Sequence, residues 1–161
     1  MRTVLCGIGD IVTTGSSDET LTAMALGSCV AVVAYDPVSR VTGMAHIALP
    51  GNPRDRNRQQ GEGYYADTAI PALFEQMGRR GASKAGLGLE IKLIGGASIL
   101  GVMAGRDIGK RNVLGVKRVL WRHGLGPMAE EVGGSNSRTV KVQGGGGRVV
   151  VSTPGQASRD L

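Results

Sequence analysis

Aromatic residues are scarce in this 161-residue chain, which has one tryptophan, three tyrosines and one phenylalanine. Its formal net charge of +6 suggests a nucleic-acid partner, because cationic surfaces attract the phosphate backbone. Platforms for base stacking need aromatic side chains, however, and the basic residues are spread along the chain instead of being clustered. The sequence therefore disfavours a nucleic-acid-binding protein and predicts a core built from aliphatic side chains.

Cysteine and histidine are also scarce, with two of each. Two cysteines do not form the disulfide framework of a small secreted domain, and two cysteines with two distant histidines make a poor zinc site. The glycine-rich stretches lack the spacing of a P-loop or of a dinucleotide-binding motif. We expect neither a metal ion nor a cofactor.

Long hydrophobic runs are missing as well. No segment approaches the roughly 18 apolar residues that a membrane-spanning helix needs. The start of the chain, MRTVLCGIGDIVTT, has an apolar run too short for a secretory signal peptide. These features predict a reduced, cytoplasmic protein without direct membrane insertion.

Glycine, in contrast, is abundant, with 27 residues that follow no collagen-like period. Dispersed glycines predict tight turns between short strands, and the four glycines at 144–147 separate two β-branched runs as in a hairpin. The apolar spacing predicts amphipathic helices over 65–77 and 107–123. The sequence thus predicts a single α+β domain over residues 1–161, with layered sheets built from hairpins and two main helices. Its polar tail, from about residue 156, is expected to be disordered.

Cys29 and His46 belong to one predicted hairpin, LGSCVAVVAYDPVSRVTGMAHIALPG. A turn at 37–39 pairs residues whose numbers sum to 75 or 76, so that Cys29 faces position 46 or 47. A register with both side chains on one face would bring a thiolate nucleophile within reach of its imidazole base. The alternative is structural: free cysteine packs as a small hydrophobic residue, and a histidine within a strand is often a satisfied core residue.

The hairpin closely resembles the signature of the chemoreceptor glutamine deamidases, the CheD family. Further segments match in the family's order over roughly residues 3–152: YYADTAIPALFEQM, KLIGGASIL, IGKRN and EEVGGSNSRTV. The resemblance implies a cytoplasmic hydrolase that converts glutamine side chains of methyl-accepting chemotaxis receptors to glutamate. It also implies a fold similar to that of the cytotoxic necrotising factor toxins. Cys29 is then the thiolate nucleophile, His46 the general acid and base, and a CheC-type phosphatase a further partner.

One position departs from the family pattern. The threonine that lies six residues before the cysteine, and is thought to orient the histidine, corresponds to Ala23 here. Thr22 is adjacent, but neighbouring side chains of a regular strand point to opposite faces. We therefore expect a backbone carbonyl or a water molecule to orient His46. The departure leaves a second hypothesis open: an adaptor that binds chemoreceptors or the phosphatase with little or no catalysis.

Overall fold

The computed structural model describes residues 1–51, 60–99 and 107–161. Within these ranges the chain forms two α-helices, α1 (Ala66–Arg79) and α2 (Ile108–Arg122), and a 3-10 helix at Glu62–Tyr64. The strands are β1 (Arg2–Leu5), β2 (Ile11–Thr14), β3 (Glu19–Leu26), β4 (Val30–Tyr35), β5 (Thr42–Ile47), β6 (Glu90–Gly95), β7 (Ala129–Val132), β8 (Arg138–Gln143), β9 (Val149–Ser152) and β10 (Arg159–Asp160).

The strands form two five-stranded sheets, and the helices cover the second one. We call them the outer sheet, of order β1-β3-β8-β9-β10, and the central sheet, of order β2-β5-β4-β6-β7. Within β4, Val30 and Val32 pack against the helices, whereas Ala31 and Val33 pack against the outer sheet. Because both faces of the central sheet are buried, this strand is apolar throughout instead of alternating. The α+β class with layered sheets and two main helices is confirmed.

Hairpins account for only part of the two sheets. The predicted hairpins are present, since β4 pairs antiparallel with β5 and β8 pairs antiparallel with β9. The pairs β1–β3 and β6–β7 are parallel, however. Parallel neighbours need a crossover connection, which local turn signals do not reveal.

Both helices form close to the predicted ranges. Asp107 begins α2 as its N-cap, where its side chain accepts a hydrogen bond from the Lys110 backbone N–H at 3.0 Å. Gly124 follows the last residues of α2 with φ of 72°, a left-handed conformation that commonly ends helices. Across the described ranges, neither helix has the length and apolar character needed to traverse a lipid bilayer.

The C-terminal tail contributes a strand, in contrast to the expected disorder. Arg159–Asp160 forms β10, which pairs antiparallel with β9. Leu161 packs against the core between the two sheets, and Arg148 forms an ion pair with Asp160 at 3.1 Å. A polar composition indicates fraying only when nothing anchors the segment, and here the last residue supplies an apolar anchor.

Candidate active site

The hairpin of β4 and β5 positions both candidate catalytic residues. Val30 pairs with Ile47 and Ala31 pairs with His46. Continued by one residue, this register places Cys29, just before β4, opposite Ala48. Partner numbers therefore sum to 77, and the predicted sums of 75 and 76 are wrong. Cys29 lies diagonal to His46 instead of facing it directly.

The turn between the strands causes this difference in register. It contains the four residues 37–40, closed by a hydrogen bond from Asp36 N–H to the Val41 carbonyl at 2.9 Å. The Asp36 carboxylate accepts hydrogen bonds from Val38 N–H at 3.0 Å and from the Ser39 hydroxyl at 2.8 Å. Arg40 then adopts φ of 63°, which completes a turn one residue longer than predicted.

Cys29 and His46 nevertheless share one face of the central sheet. Cys29 packs against the core between the sheets, and so does Met44, which precedes His46 by two residues in β5. Diagonal neighbours of an antiparallel pair lie about 7–8 Å apart. In the described part of the chain no hydrogen bond joins Cys29 Sγ to His46. Hydrogen bonds of this kind are often long before substrate binds and tighten in the complex.

A backbone carbonyl holds the His46 ring, as one of the two expected arrangements requires. His46 Nδ1 lies 2.9 Å from the Cys6 carbonyl oxygen. Since a carbonyl can only accept, Nδ1 carries the hydrogen and Nε2 keeps its lone pair. The β1–β2 turn also fixes the His46 backbone, whose N–H donates to the Asp10 carbonyl at 3.0 Å and whose carbonyl accepts from Gly9 N–H at 2.8 Å.

Position 23 contributes no polar group to this site. Ala23 is fully buried in the core between the sheets, and Thr22 points to the opposite face of β3. The irregularity in β3 comes after Ala23, so it does not rotate Thr22 toward His46. Cys6, which contributes the carbonyl that holds His46, has a sequence context that predicts only a small buried side chain. No sequence signal could have revealed its role, because every residue carries a carbonyl.

We expect Ala23→Thr to give no increase in kcat, since the Nδ1 hydrogen of His46 is already donated to the Cys6 carbonyl. Adding atoms at this fully buried position should lower the free energy of unfolding by about 1–3 kcal/mol. Steady-state kinetics and denaturant unfolding measure the two effects. A large rise in kcat would show instead that His46 lacks an orienting group and would favour the adaptor hypothesis.

Burial shifts both titratable groups toward their neutral forms. It lowers the pKa of His46 from the ordinary value of 6.5, against the opposing effects of the Cys6 carbonyl and Asp10. It also raises the pKa of the Cys29 thiol above the ordinary value of 9.0. Both shifts favour a thiol beside a neutral imidazole in the resting site. Such an imidazole can remove the thiol proton as the sulfur attacks.

Three hydrogen bonds hold the carbonyls of the segment 27–29, which we call the nucleophile loop. Gly96 N–H donates to the Cys29 carbonyl and Ala97 N–H to the Gly27 carbonyl, both at 2.8 Å. Asn112 Nδ2 donates to the Ser28 carbonyl, also at 2.8 Å. Within the same described ranges, the N–H groups of Ser28 and Cys29 make no hydrogen bond. They are available to stabilise an oxyanion formed beside the sulfur.

Where the structure describes the chain, no group of three or more His, Cys, Asp or Glu side chains is placed to hold a metal ion. The site itself offers a thiol, an imidazole and backbone N–H groups. Together these are suited to acyl transfer through a covalent thioester.

Comparisons with known proteins identify the family of the chain. The family profile described as "CheD chemotactic sensory transduction" matches residues 48–153. A "Probable chemoreceptor glutamine deamidase CheD" of Syntrophotalea carbinolica is 44% identical over 160 residues, which cover 97% of each chain. The "Chemoreceptor glutamine deamidase CheD" of Halalkalibacterium halodurans is 35% identical over 164 residues, covering 96% of this chain and 100% of that protein. On these matches the chain belongs to the CheD family.

Proposed function

We propose that this protein hydrolyses the side-chain amide of glutamine residues in methyl-accepting chemotaxis receptors, which releases ammonia and leaves glutamate. The observation that carries the proposal is the arrangement of Cys29 and His46 on one face of a hairpin, with His46 Nε2 kept as the base by the Cys6 carbonyl. The substrate class comes from the family, since similar proteins are named chemoreceptor glutamine deamidases.

The first half of the reaction forms a thioester. His46 Nε2 takes the thiol proton while Cys29 Sγ attacks the amide carbon, so that a C–S bond forms and the carbonyl oxygen becomes negative. The N–H groups of the nucleophile loop stabilise this oxyanion. The imidazolium then gives its proton to the amide nitrogen, the C–N bond breaks, and ammonia leaves.

The second half consumes water and restores the enzyme. His46 Nε2, neutral again, removes a proton from a water molecule, whose oxygen attacks the thioester carbon. The C–S bond breaks, and the sulfur recovers its proton from the imidazolium. The sum is glutamine plus water giving glutamate plus ammonia, with Cys29 and His46 unchanged.

The surroundings of the site suit a protein substrate better than free glutamine. Large apolar side chains are exposed in three segments next to the candidate catalytic residues. They are Ile8 in the turn that holds His46, Leu49 three residues after His46, and Ile99, whose side chain lies close to Gly27. Exposed apolar groups gathered beside a site are typical of protein-binding surfaces.

Partner and location complete the proposal. A CheC-type phosphatase is a second partner that competes for the receptor-binding surface, and the reaction takes place in the cytoplasm. The family resemblance supports both statements. The adaptor alternative loses its main support, because the Cys6 carbonyl orients His46 where the family's threonine is replaced by Ala23.

The test is to incubate the purified protein with a receptor cytoplasmic fragment. Ammonia and the amide-to-acid mass change are then measured in the same samples. We expect one ammonia for each converted glutamine. A fragment with those glutamines replaced by alanine is the matched control and should release none. Tight binding of the unmodified fragment without ammonia release would contradict the proposal and support the adaptor.

A further inference from the structure

Asn112 links helix α2 to both halves of the candidate site. Its side chain is fully buried, and its Nδ2 donates to the Ser28 carbonyl at 2.8 Å and to the Ala48 carbonyl at 2.9 Å. Both acceptors are carbonyls, so the amide can be placed only with its nitrogen toward them. One residue precedes the nucleophile, and the other is opposite it in the continued register.

The bond to Ser28 sets the direction of the peptide that joins Ser28 to Cys29. In a trans peptide the C=O and N–H groups point in opposite directions across the peptide plane. Holding the Ser28 carbonyl toward α2 therefore directs the Cys29 N–H away from α2. That N–H makes no hydrogen bond in the described part of the structure. It is the natural donor to an oxyanion on a carbon bonded to Cys29 Sγ.

The bond to Ala48 acts on the second strand. Ala48 follows His46 by two residues. Its carbonyl accepts a hydrogen bond from Asn112 Nδ2, which also donates to the Ser28 carbonyl. A single amide thus fixes the distance between the chain before Cys29 and the chain after His46. Cys29 and His46 are diagonal neighbours, so the strand register alone does not fix the distance between their side chains. The two bonds of Asn112 constrain that distance.

An asparagine at position 112 is unfavourable for stability, and packing alone does not explain its presence there. Asn112 Oδ1 is buried and has no hydrogen-bond partner where the structure describes the chain. Asparagine is also a weaker helix former than leucine or alanine. Val116, one turn further along the same face of α2, is equally buried and is apolar. The asparagine side chain thus places its Nδ2 donor on two carbonyls and leaves its Oδ1 acceptor without a partner.

We propose that Asn112 is a positioning residue of the deamidase, which fixes the Ser28–Cys29 peptide so that the Cys29 N–H meets the oxyanion. The inference rests on the proposed function and adds to it a residue that touches no substrate. Its effect is on the height of the barrier after substrate has bound, so it should alter kcat and leave KM largely unchanged.

The experiment compares Asn112→Ala and Asn112→Asp with the wild type and with Val116→Ala, which serves as a control for lost packing on the same helix face. Deamidation of the receptor fragment gives kcat and KM, and circular dichroism gives the folded fraction by which each rate is divided. Alkylation of Cys29 by iodoacetamide is measured at the same pH. That reaction forms a C–S bond and expels iodide at a saturated carbon, so no oxyanion arises.

We expect kcat to fall by up to about 100-fold in both Asn112 variants, with little change in KM and an unchanged rate of Cys29 alkylation. Val116→Ala should retain most of the wild-type kcat once corrected for folding. A kcat loss no larger than that of Val116→Ala would overturn the inference. A parallel loss of alkylation, or complete unfolding of both variants, would also overturn it by assigning Asn112 to the fold alone. Wild-type protein that releases no ammonia would instead refute the proposed function itself.

Discussion

Replacing Cys29 by alanine is expected to lower the rate of ammonia release from a receptor fragment by about 10⁴-fold or more. The alanine variant has no atom that can form the thioester, and the remaining groups can only polarise the amide. Cys29 is half-buried at the end of the central sheet, where a smaller side chain disturbs little packing. The loss should therefore appear in turnover, with the folded fraction and the affinity for the fragment nearly unchanged.

The second cysteine provides the matched control for this prediction. Cys6 is 2% exposed, and burial raises the pKa of its thiol to about 12, so it is a poor nucleophile near neutral pH. Its contact with His46 is made by the backbone carbonyl, which alanine also has. Cys6→Ala should thus keep kcat close to that of the wild type. Equal losses in the two variants would remove Cys29 from the mechanism.

The sequence predicts the two strands and the turn that carry the site better than it predicts the register between the strands. A run of β-branched residues and a proline-containing turn are sufficient to predict the hairpin that carries Cys29 and His46. The register depends on details of the turn that the pattern does not show, namely the hydrogen bonds of the Asp36 carboxylate and the positive backbone φ of Arg40. Of the two predicted sums, 75 differs from the observed sum of 77 by two and places both residues on one face, as observed, whereas 76 differs from it by one. A difference of one would have separated them.

Contacts between segments distant along the chain are where sequence reasoning fails. Cys6 and His46 are 40 residues apart, and Asn112 is 84 residues from Ser28. Neither contact follows from periodicity or spacing. The parallel pairs β1–β3 and β6–β7 were also missed, because the strand order within a sheet is a property of the whole chain. Local patterns leave the roles of Cys29 and His46 open, the family resemblance predicts them, and the structure adds the contacts that hold the two residues.

Replacing His46 by glutamine is expected to lower kcat by about 10²–10⁴-fold, the usual contribution of a general acid and base. Glutamine can still donate a hydrogen bond to the Cys6 carbonyl and preserve packing, but it cannot move a proton between sulfur, nitrogen and water. His123, the other histidine, lies exposed after α2 and supplies the control. His123→Gln should retain wild-type activity, and a comparable loss there would argue that the effect of His46 is structural.

The pH profile separates loss of the base from loss of structure. Burial lowers the pKa of His46, so its neutral, basic form persists below the ordinary pKa of 6.5. In the wild type, kcat/KM should stay constant as the pH falls toward 6.5 and decline only at lower pH, where His46 takes up a proton. The folded state disfavours that proton, so the free energy of unfolding should also decrease as the pH falls below 6.5. In His46→Gln, the decline of kcat/KM at low pH that protonation of His46 causes should be absent. An unchanged acid limb in a folded variant would show that another group is the base.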